Sequence, residues 1–70
     1  MKTIREKIIA AGVRSLQQFG YPDCNNENIM TDKVFKAFFE SQLQELISGR
    51  SSRIIKEASK ELLAELLEVK

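Results

Sequence analysis

The stretch Asp32-Lys33-Val34-Phe35-Lys36-Ala37-Phe38-Phe39-Glu40-Ser41-Gln42-Leu43-Gln44-Glu45-Leu46-Ile47-Ser48 decides the fold. Phe35, Phe39, Leu43 and Leu46 recur at three- and four-residue intervals, the spacing that puts side chains on one face of an α-helix. Phe38 and Ile47 flank that stripe. Three of the four phenylalanines lie in this segment, the fourth being Phe19. A helix over 32–48 with so much apolar volume predicts the centre of a core. Thr31 is the expected N-cap, and Asp32 favours the positive end of the helix dipole.

Helical periodicity continues on both sides, and no strand-like alternation of useful length occurs. Upstream, a helix is expected over about 4–19. Thr3 and Glu6 fit a capping box, Gly20 stands where a left-handed C-cap belongs, and Pro22 prevents continuation. Ile4, Ile8, Ala11, Gly12, Leu16 and Phe19 share one face at 100° per residue. Gly12 lies near the middle of it. A glycine there costs about 1 kcal/mol of helix propensity, which close approach of another element would offset.

Residues 20–31 form the long connection, with Pro22, Asp23 and three asparagines as turn formers. Tyr21, Ile29 and Met30 are apolar enough to pin it, with a short helical turn near 27–30. Tyr21 is expected to anchor the loop on the first helix. Cys24 reads as a plain reduced loop thiol, the alternative being a reactive one at the start of the short turn. Downstream, Ser48-Gly49-Arg50-Ser51 makes a brief turn into a helix over about 52–69, with Ile55, Ala58, Leu62, Leu66 and Val69 as its core stripe. The expected fold is all-α, a compact three-helix domain comprising 1–70 as one unit.

Composition sets the limits. The chain has 70 residues, no His, no Trp and one Cys. A domain of this size buries only about 60% of the surface its unfolded chain exposes. One cysteine makes no internal disulfide, and without histidine a structural zinc site is excluded. Compact helix packing remains, with a homo-oligomer or a partner as supplement. Ser-His-Asp and Cys-His nucleophile schemes are impossible, and no Gly-rich phosphate-binding motif occurs. The expectation is a protein that is not an enzyme and takes no cofactor. The longest early apolar run, Ile8 to Val13, is too short for an export-signal core or a membrane span, so a cytoplasmic location is expected.

The net charge of +1 is unevenly spread. Residues 1–20 carry +3, residues 21–49 carry −3 and residues 50–70 carry +1. In the third helix Glu57, Glu61, Glu65 and Glu68 follow one stripe, while Arg53, Lys56 and Lys60 follow the next. The acidic stripe reads either as a solvated face or as a contact for a basic partner surface. Leu63 and Leu67 lie off the core stripe and offer a second apolar surface for dimerisation or a partner, unless the core stripe is simply broad. The candidate partner-binding set is therefore Glu57, Glu61, Leu63, Glu65, Leu67 and Glu68.

An alternative set, Arg50, Arg53, Lys56 and Lys60, would serve a DNA-binding regulator. The helix-turn-helix pattern fits poorly, because Glu45 stands where that motif usually has a small residue. The glutamate stripe also flanks the proposed recognition helix, so nucleic acid is the weaker reading.

Three short stretches, Gly20-Tyr21-Pro22-Asp23, Asn28-Ile29-Met30-Thr31-Asp32 and Phe38-Phe39, resemble small uncharacterised proteins encoded by bacteriophages and prophages. The resemblance covers roughly residues 4–45. It implies a bacterial host cytoplasm and an accessory role during infection or lysogeny, and carries no site residues with it. Proteins of that kind often bind and alter a host protein, as an inhibitor or defence antagonist. The leading expectation is thus a small all-α interaction module that modulates a host or phage protein. A DNA-binding transcriptional regulator and a structural component of a phage particle are the alternatives.

Overall fold

A computed structural model describes residues 3–68. Helix α1 spans Ile4–Phe19, α2 spans Lys33–Ser48 and α3 spans Arg53–Glu68, with a single 3-10 turn at Asn28–Met30 inside the first connection. The described residues contain no strand, and the molecule measures 31 × 26 × 23 Å along its principal axes. The all-α three-helix domain expected from periodicity is the observed one.

Local chemistry sets the helix ends. The Thr3 hydroxyl accepts from the Glu6 amide at 3.1 Å, which starts α1. Gly20 adopts φ +113°, and α1 closes with two bonds, Gly20 N–H to the Gln17 carbonyl and Tyr21 N–H to the Leu16 carbonyl. That pair is the Schellman arrangement, which needs a left-handed residue at this place. Helix α2 is capped by Asp32 and not by Thr31. The Asp32 carboxylate accepts from the amides of Val34 and Phe35, whereas Thr31 closes the 3-10 turn through its own amide to Asn28. The Ser52 hydroxyl accepts from the Ile55 amide at the head of α3.

The core comprises Ile8, Val13, Leu16, Cys24, Ile29, Phe35, Phe39, Leu43, Leu62 and Leu66. Phe39 lies at its centre, fully buried. Gly12 faces it so closely that a Cβ there would stand 2.8 Å from two Phe39 ring carbons and 3.0 Å from Ile29 Cδ1. Close approach is therefore the reason for a glycine in mid-helix.

Several sequence expectations shift. The buried face of α1 turns away from Ala11 and Phe19 toward Val13; Ala11 is exposed and Phe19 is 72% exposed. The connection explains this. It returns over the Val13 side, with Gln17 Nε2 donating to the Cys24 carbonyl at 3.0 Å. Cys24 is consequently a core residue, 1% exposed, and not a polar loop thiol. Asn25 and Asn28 hold the loop by exchanging side chain-to-backbone bonds: Asn25 Oδ1 accepts from the Glu27 and Asn28 amides, and Asn28 Oδ1 accepts from the Asn25 amide. The Tyr21 ring packs edge-on against Phe35 of α2, 5.6 Å between centroids, so the loop is anchored on the second helix as well as the first.

In α3 the buried face is centred on Ser59, Leu62 and Leu66, with Ile55 and Ala58 partly buried. Val69, expected in the stripe, lies outside the described residues. Ser59 is fully buried, and its hydroxyl has no hydrogen-bond partner among the described residues. An unpaired buried hydroxyl is destabilising. Alanine also has the higher helix propensity. Ser59→Ala is therefore expected to stabilise by about 1 kcal/mol and raise the melting temperature by about 5 °C, read by circular dichroism. A lower melting temperature would show that the hydroxyl is bonded.

Candidate functional site

Helix α3 holds every residue that the charge pattern singled out except Arg50, which lies in the turn before it. Ser59 moves the centre of the buried stripe, so the centre lies about 65° from Leu63 and about 105° from Leu67 at 100° per residue. Leu63 is accordingly partly buried and packed on the core, whereas Leu67 is 68% exposed. The pair does not form one free apolar surface: Leu63 is the shoulder of the core, and Leu67 continues that shoulder into solvent.

The four glutamates divide as well. Glu65 is tied to Arg5 of α1 by a parallel two-bond bridge, each terminal guanidinium nitrogen donating to one carboxylate oxygen. The bridge joins positions 60 residues apart in sequence and ties the head of α1 to the tail of α3. The hydrogen bond from Arg5 holds the Glu65 carboxyl below the usual glutamate range, against a smaller opposing effect of desolvation. Glu57 lies 3.7 Å from Arg53 Nε, but both side chains are mostly solvated, and such pairs contribute little. Glu61 and Glu68 are exposed.

Ahead of these acids in α3 stands Ile54, 63% exposed. At 100° per residue it falls on the acidic side of α3, one and two turns before Glu57 and Glu61. The sequence held a signal for it: Ile55 belongs to the core stripe, and its neighbour Ile54 is turned 100° away from it. The charged part of α3 is thus an acidic face, Glu57, Glu61 and Glu68, with an isoleucine at its head.

The basic set is less concentrated. Arg50, Arg53 and Lys60 are exposed, but Lys56 is partly buried and Arg53 is offset by Glu57.

Cys24 has neither the exposure nor the electrostatics of a reactive thiol. Burial pushes its pKa up, and the Asp32 carboxylate adds to the effect. Among the described residues, no group of three or more Cys, Asp or Glu side chains is placed to hold a metal ion, and no helix is long and apolar enough to cross a membrane.

Sequence reasoning missed one further surface. Phe19 of α1 and Phe38 of α2 meet edge-on, 5.2 Å between centroids, and with Ser15, Ser41, Gln42 and Glu45 line a groove. Periodicity alone places Phe19 on the core face of α1; its position in the last turn, beyond the reach of the returning loop, leaves it outside. No protein-family model, curated protein or solved structure matches the chain.

The Arg5–Glu65 bridge has a definite pH signature. A carboxylate whose folded-state pKa is depressed stabilises above its unfolded value, about 4.3 for glutamate, and loses that contribution as pH falls through the lower folded value. Glu65→Gln is expected to cost less than about 1 kcal/mol at pH 7, because both groups are over one-third exposed. The difference from the unaltered protein should shrink in urea unfolding as the pH is taken from 7 to below about 4. An equal loss at both pH values would mean that the charge plays no part.

Proposed function

We propose that the chain is a non-enzymatic protein-binding module that acts by stoichiometric docking on a host protein, as the resemblance to small phage-encoded proteins implies. The occupant of its docking face is a protein surface rich in lysine and arginine. One observation carries this reading: the outward face of α3 presents Glu57, Glu61 and Glu68 in a row headed by the exposed Ile54, while the remaining acid of the row, Glu65, is held by Arg5. Charge complementarity supplies steering and register, and the isoleucine supplies apolar area at one end of the contact. Like charges at i, i+4 on a helix are destabilising by a few tenths of a kcal/mol, so an acidic row of this kind favours folding less than a mixed one would.

Phage-encoded inhibitors and defence antagonists fit such a mechanism, and it needs no catalytic group. The test is affinity capture from a bacterial lysate, comparing the unaltered chain with a Glu57→Gln/Glu61→Gln/Glu68→Gln variant at low and high salt. The expected result is one protein retained by the unaltered chain at low salt, released by high salt and not retained by the variant. Equal retention by both chains would place the contact elsewhere. Retention of duplex DNA in place of a protein, with a steep loss as salt rises, would replace this reading with the DNA-binding one.

A further inference from the structure

We draw no further inference here: the strongest candidate, the apolar groove between the three helices lined by Ile4, Ile8, Leu46 and Ile55, carries nothing, because nothing in the structure shows what covers it.

Discussion

The contact between Gly12 and the ring of Phe39 is the constraint on which the rest of the structure depends. Phe39 fills the centre of a small core, and its ring occupies the place that a side chain on α1 would take. Ile29, from the 3-10 turn, closes on the same point. Three separate pieces of chain therefore converge on one missing Cβ. Glycine is the residue least suited to a helix interior after proline, so its place here reflects packing and not local preference.

What lies far from this contact follows from it. With α1 drawn onto Phe39, the connection must return on the Val13 side, and the asparagine pair and Gln17 fasten it there. That return buries Cys24 and leaves Phe19 outside, beside Phe38. On the other side, α3 settles mainly against α2, with Ser59 at the middle of its buried stripe, and the Arg5–Glu65 bridge joins it to α1. The proposed α3 surface is a consequence of this packing: it carries acids that the core does not cover.

The sequence shows the helices and their ends clearly, because caps are local chemistry: Thr3, Gly20 and Ser52 act within four residues of themselves. Thr31 misleads for a related reason. Two cap-forming residues stand side by side, and only the 3-10 turn before them assigns Thr31 to one element and Asp32 to the next. The core stripe of α3 is harder to read because its centre is polar. Counting apolar residues alone draws the centre toward Ala58, and Leu63 and Leu67 then look equally free. Cys24 and Phe19 are illegible for a longer-range reason. Their burial depends on which side of α1 the connection takes, and periodicity within a helix contains no information about that. Glu65 is the same case in charge: the stripe shows four equivalent acids, and only the folded chain brings Arg5 to one of them.

The central claim is that the place of α1 on α2 is fixed by steric fit at Gly12. Equilibrium unfolding of Gly12→Ala, alone and combined with Phe39→Leu, measures it directly. Helix propensity by itself makes the alanine variant more stable by about 1 kcal/mol. Steric fit makes it less stable, since overpacking of a closed core costs about 1–3 kcal/mol and the Phe39 ring is fully buried. The account predicts a net loss of stability for Gly12→Ala, and a smaller loss for the same change when Phe39 is already leucine. A Gly12→Ala variant as stable as the unaltered protein, or more so, would contradict it.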